Sequence, residues 1–112
     1  MKINVLGRDY ELSLCKPADD IRLRDCGGYM DSTSGRIVVA SDFINPGDPM
    51  NVEDFDVHMR RAIRHELIHA FACESGLDES SWASNEEIVD WIAIQFPKMA
   101  AAMQEAGGLP QT

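Results

Sequence analysis

The run Arg64-His65-Glu66-Leu67-Ile68-His69-Ala70-Phe71 decides how this chain is read. On a helix, residues four apart project from one face with neighbouring Cβ atoms. His65 and His69 can therefore offer two imidazole nitrogens to one point without backbone strain. Ala62, His65, Ile68, His69, Ala72 and Cys73 keep helical stripe spacing, so the pattern itself predicts the helix. Asn51 or Asp54 can cap its start, and Gly76 supplies a left-handed residue to close it. The expected range is 51–75.

Two histidines at this spacing can be a buried stripe with satisfied ring nitrogens, but two features favour a metal. Zn²⁺ takes nitrogen ligands at about 2.0–2.1 Å in tetrahedral geometry, and a catalytic site keeps one position for water. Glu66 directly follows the first histidine, where a carboxylate can take a proton from that water. A further acidic helix lies downstream and can supply the missing ligand. The expected cofactor is Zn²⁺, with His65 and His69 as ligands and Glu66 as the catalytic base.

The third ligand has several candidates. An HExxHxxGxxH continuation is excluded, because Ala72 and Ser75 occupy the corresponding positions. Glu74 lies five residues beyond His69 and points away from the metal face. Asp78 and Glu79 fall in the expected turn, where solvated carboxylates are the ordinary outcome. Glu86 and Asp90 stand four apart on a second helix, expected over 84–106. Glu86 can ligate while Asp90 accepts the outer N–H of a ligand histidine. Ser84-Asn85-Glu86-Glu87 also fits a capping box that gives Glu87 a structural task. Glu86 is thus preferred, with Glu87 the alternative; acids near a helix N-terminus also interact well with the macrodipole alone.

Working outward, the first third, 1–44, reads as mainly β. Lys2–Leu6 and Tyr10–Leu14 alternate around Gly7-Arg8-Asp9 like a hairpin. Gly27–Asp31 and Arg36–Ala40 read as two more strands joined by Ser32–Gly35. Asn45-Pro46-Gly47-Asp48-Pro49 breaks the chain before the helical half. Pro97 is expected to kink the second helix or begin a new turn, and Gly107-Gly108 to stop it. The fold class is α+β, a single domain over 1–112, since so short a chain has no room for a second core.

Composition excludes other classes. Acids outnumber bases 19 to 10, giving a net charge of −9, which disfavours grip on nucleic acid. Arg60, Arg61 and Arg64 form the one basic cluster and read as a solvated helix face. No apolar run reaches the 18 or more residues of a membrane span. Cys15, Cys26 and Cys73 are an odd set without a CxxC pair, and the start of the sequence lacks a signal-peptide apolar stretch. A reducing, cytoplasmic setting is expected.

The segments Arg64–Phe71, Glu74-Ser75-Gly76-Leu77 and Asn85-Glu86-Glu87-Ile88-Val89-Asp90-Trp91 through Lys98 resemble small phage- and prophage-encoded gluzincins. These are related more loosely to ImmA/IrrE-type metallopeptidases. The resemblance covers roughly residues 60–98, with Gly28–Asp31 and Ile37–Val39 similar to the strand pair beside such an active-site helix. It implies a minimal zincin-like domain in which a small antiparallel or mixed sheet packs on the HExxH helix and a second helix. It also implies His65, His69 and a second-helix glutamate as ligands, Glu66 as base, and a peptide or protein as substrate. Arg64 and Trp91 belong to the pattern without assigned chemistry.

Other residues carry weaker signals. His58, two turns before His65, can reach the site edge but reads as a helix-surface histidine. Tyr29 can donate to an oxyanion, although packing on the sheet is its more ordinary use. Cys73 and Trp91 read as core, and Met99 and Met103 as packing of the last helix. The functional expectation is a zinc-dependent metallohydrolase cleaving peptide bonds. The alternative is a zinc-binding regulatory or interaction module without turnover, which would show a fourth protein ligand or a sealed cleft.

Overall fold

The computed structural model describes residues 1–77 and 81–110 as a four-stranded mixed sheet followed by two helices, an α+β arrangement. Asp78 and Glu79, set aside above as turn acids, lie outside the described residues. Strands β1 (Lys2–Val5) and β2 (Arg8–Cys15) pair antiparallel with Val5 opposite Arg8. The turn is therefore Leu6-Gly7 alone, one residue earlier than the pattern suggested. Both residues take positive φ, 51° and 93°, as a two-residue hairpin with matching twist requires. Gly7 does so freely, whereas Leu6 accepts a conformation that side chains usually avoid.

Strands β3 (Gly28–Asp31) and β4 (Arg36–Ala40) complete the sheet in the order β1-β2-β4-β3, with β4 parallel to β2 and antiparallel to β3. The parallel step requires a crossover, which two 3₁₀ turns at Pro17–Asp19 and Ile21–Leu23 help to make. The continuous apolar run of β4 reflects burial on both faces. Ile37 and Val39 join Val5, Tyr10 and Ala70 in the core beneath the first helix. Val38 and Ala40 pack with Leu23 on the opposite face. Each fully buried valine or isoleucine contributes about 1.5–3 kcal/mol. β3 is left as an open edge beside the helices.

Helix α1 (Phe55–Glu74) starts later than residue 51 because the Asp54 carboxylate accepts from the Val57 N–H at 3.2 Å, while Asn51 closes a turn onto Asp48. Its end is a Schellman closure. The Leu77 N–H reaches the Ala72 carbonyl at 2.8 Å, and Gly76, at φ 78°, donates to Cys73. Met59, Ala62, Ile63 and Leu67 pack its inner stripe on the sheet. Among the described residues, no helix is long and apolar enough to cross a membrane.

Helix α2 (Glu86–Glu105) is capped by Asn85, whose side chain accepts from the Ile88 N–H at 3.1 Å. The expected Ser84–Glu87 capping box does not form. Ser84 belongs to a preceding 3₁₀ turn, Trp82–Ser84, and its hydroxyl donates to the Ser81 carbonyl. α2 also runs through Pro97 instead of stopping there. Proline has no N–H, so the Ala93 carbonyl four residues earlier loses its helical donor. Arg64 replaces it: its Nε donates to the Ala93 oxygen at 2.6 Å, tying α1 to α2. Arg64→Met is expected to lower stability by about 1–3 kcal/mol by orphaning that carbonyl. Adding Pro97→Ala should recover part of the loss by restoring the helical N–H. Thermal melts of the two single variants and the double variant test this, and strictly additive losses would refute the account.

Candidate metal centre

α1 and α2 meet where their ligand-type side chains converge. The Nε2 atoms of His65 and His69 lie 3.2 Å apart. Glu86, in the first turn of α2, places Oε2 3.0 Å from His65 Nε2 and Oε1 2.8 Å from His69 Nε2. His65, His69 and Glu86 thus form a cluster that can hold a metal ion. The donor chemistry fits: two imidazoles and a carboxylate suit a borderline cation such as zinc. A tetrahedron with 2.0–2.1 Å bonds has edges of about 3.3 Å, close to the spacings found.

Glu87, the alternative third ligand, does not belong to the cluster, although the capping box that argued against it is also absent. A one-residue step along a helix turns a side chain by about 100°, so only one of the two adjacent glutamates can face α1.

Asp90, one turn beyond Glu86, accepts from His65 Nδ1 at 2.7 Å. That contact fixes the ring and leaves Nε2 with its lone pair toward the cluster. Asp90→Ala is expected to weaken metal binding by about 10–100-fold without unfolding the chain. Competition with a chromophoric chelator reads the change, and an unaltered affinity would remove the supporting role.

Glu66 is the one charged residue buried among the described residues, 9% exposed. Its side chain lies against β3, where Gly28 makes room. A Cβ at Gly28 would stand 3.4 Å from Glu66 Cγ and 3.0 Å from the Val38 carbonyl oxygen. Glu66 Oε1 lies 4.0 Å from His65 Nε2, beyond hydrogen-bonding reach. Burial pushes the Glu66 carboxyl up to about 7, with His65 opposing and Glu86 adding to the rise. Burial likewise holds the His69 imidazole below its ordinary value, against the pull of Glu86. The neutral, metal-binding form of His69 is favoured accordingly.

Other expectations shift. Tyr29 sits on the far face of the sheet, donating to Asp20 and stacked under the Arg22 guanidinium at 3.9 Å, so it offers no oxyanion contact. Trp91 is 56% exposed instead of core, because only Val89 and Ala93 of α2 are buried. Glu74 does turn away from the cluster, taking the Tyr10 hydroxyl at 3.3 Å and Arg8 at 3.5 Å.

Sequence reasoning missed Gly28, Arg64 and the position of His58. His58 is half-buried and lines a cleft with His65 and Glu66. A glycine inside a strand does mark close approach of another element, which was the available signal for Gly28. No protein-family model, curated protein or solved structure matches the chain.

Proposed function

We propose that the protein is a zinc-dependent metallohydrolase of gluzincin type, cleaving peptide bonds in a protein or peptide substrate. One observation carries this reading: Glu66, largely buried and with no hydrogen bond to any described residue, stands beside three converging metal-type donors at an open cleft. Burying an unpaired carboxylate is unfavourable, and such groups cluster at sites that use them. His65, His69 and Glu86 would hold the ion, with Asp90 orienting His65. Zinc bound there supplies a Lewis acid that polarises the scissile carbonyl and lowers the pKa of water toward ~7.

Glu66 then accepts the proton of the attacking water and delivers it to the departing amine. In the metal-free protein burial raises the Glu66 carboxyl to about 7. The charge of a cation would pull that value down again, keeping Glu66 ionised when the site is loaded.

The open edge of β3 provides a seat for substrate. In an antiparallel pair alternate residues bond to the partner strand. The Gly27 carbonyl accepts from Ala40, so Gly28 and Met30 turn their peptide groups outward. An extended peptide added to this edge lies alongside Glu66 and the cluster. A binding module without turnover would be expected to close its metal with a fourth protein donor, and the described cluster has three.

The test is incubation of the zinc-loaded protein with a peptide library, read by mass spectrometry. Cleavage that a chelator abolishes and zinc restores is the expected result. Intact peptides at every zinc loading would overturn the enzymatic reading.

A further inference from the structure

The cleft beside the cluster, about 230 Å³, is walled by Gly27, Gly28, His58, Arg61, His65 and Glu66. A second hollow of about 260 Å³ shares Gly27, His58 and Ala62 with it and continues to Phe43, Ile44, Phe55 and Met59. Phe43 and Phe55 meet edge-on at 4.8 Å and give this hollow an apolar wall. The charges of the first cleft are unequally engaged. Asp90 is bonded to His65, and Glu66 is the proposed base. Arg61 makes no hydrogen bond or ion pair with any described residue. In a chain of net charge −9, this is a cation held in reserve at the site entrance.

Direction is taken from antiparallel addition, the more stable pairing for an added strand. A peptide lying antiparallel to β3 runs from the Asp31 end toward the Gly28 end, because β3 itself runs the other way. Its C-terminal side therefore enters the cleft that Gly27, Gly28 and Arg61 border. Arg61 precedes His65 by one helical turn, about 6 Å along the axis. Extended chain covers that length in about two residues. A carboxylate at Arg61 thus lies one or two residues beyond the bond above the cluster.

We propose that Arg61 and the hollow beyond His58 bind the C-terminal residue of the substrate. The guanidinium takes its free α-carboxylate, and Phe43, Phe55 and Met59 take an apolar side chain. The substrate class is then a peptide ending in an apolar residue, from which one or two residues are released. This rests on the peptidase reading and adds its end-specificity. Arg61 acts as a specificity-determining residue, since its planar fork matches a carboxylate.

The test titrates N-acetyl-L-phenylalanine and N-acetyl-L-phenylalaninamide into the zinc-loaded protein, following the Gly27 and Gly28 amide resonances. The acid should bind about tenfold tighter than the amide. Arg61→Met should abolish that preference, and Arg61→Lys should keep part of it. Arg61 is exposed, so both variants are expected to fold, which unchanged zinc stoichiometry verifies. Equal affinities for acid and amide overturn the proposal. So does a preference that survives in Arg61→Met, because the carboxylate would then be held by the metal. No cleavage is read here, so the two readings fail separately. An acid preference without turnover of any peptide sinks the peptidase reading, and the release step with it, but leaves the carboxylate site standing; turnover without the preference sinks only the carboxylate site.

Discussion

Glu66→Gln should retain zinc at one ion per chain yet lose peptide hydrolysis by about 10²–10⁴-fold, the range that one positioned proton carrier supplies. The amide is nearly isosteric, so the contacts with β3 at Gly28 are preserved. It cannot accept the proton of water, and that function alone is removed. The pairing of readouts is decisive. Full metal content with lost turnover isolates the base, whereas turnover near the parent level would show that another group moves the proton. The substitution also replaces the one buried charged group among the described residues with a neutral one. The metal-free variant should therefore be no less stable than the parent at neutral pH, and thermal melts can follow this.

Removal of a donor should have an effect of similar size on the metal itself. His69→Ala or Glu86→Ala leaves two of the three converging groups. The loss of zinc affinity should exceed the 10–100-fold expected for a supporting contact such as Asp90. The two variants differ in kind. Glu86 is 66% exposed, so its loss should leave stability nearly unchanged and report on metal alone. The His69 side chain is only 18% exposed, so its loss should also lower the melting temperature. Zinc content after dialysis against a weak chelator distinguishes the pair from Asp90→Ala. Retained stoichiometric zinc in Glu86→Ala would mean that the convergence of these side chains does not define the ion site.

How far the sequence carried the reading depends on which distances a helix dictates. His65 and His69 were legible because a separation of four fixes their geometry within one element. Glu86 and Asp90 were legible for the same reason, once a second helix was expected. The choice of Glu86 over Glu87 rested partly on a capping box that does not exist. The same-face spacing to Asp90 was the stronger part of the argument, and the structure brings Glu86 to the two histidines. The cap fell one residue late because Ser84 and Asn85 are both good capping types, and the 3₁₀ turn at Trp82–Ser84 takes the serine.

Contacts between elements were not legible. The solvated reading of Arg64 failed because its partner, the Ala93 carbonyl, is a backbone group whose availability depends on Pro97 and on how two helices cross. His58 and Arg61 border a cleft only because the edge of β3 lies beside α1, a relation no local pattern encodes. Trp91 read as core under the ordinary assumption that large aromatics are buried. Here α2 packs on α1 and the Trp82–Ser84 turn, and the residues it buries there are the modest-sized Val89 and Ala93.

The bond from Arg64 to Ala93 bears on how this domain can vary. Arg64 adjoins His65, and Ala93 follows Glu86 by seven residues, two turns along the same helix face. The grip is thus built into the two segments that also present the donors. The described parts of the connection are built in as well, since Gly76 and Leu77 close α1, Ala83 is buried and Asn85 caps α2. A change that loosens the helix pair should therefore also loosen the donor set, so zinc affinity should fall together with melting temperature in Arg64→Met.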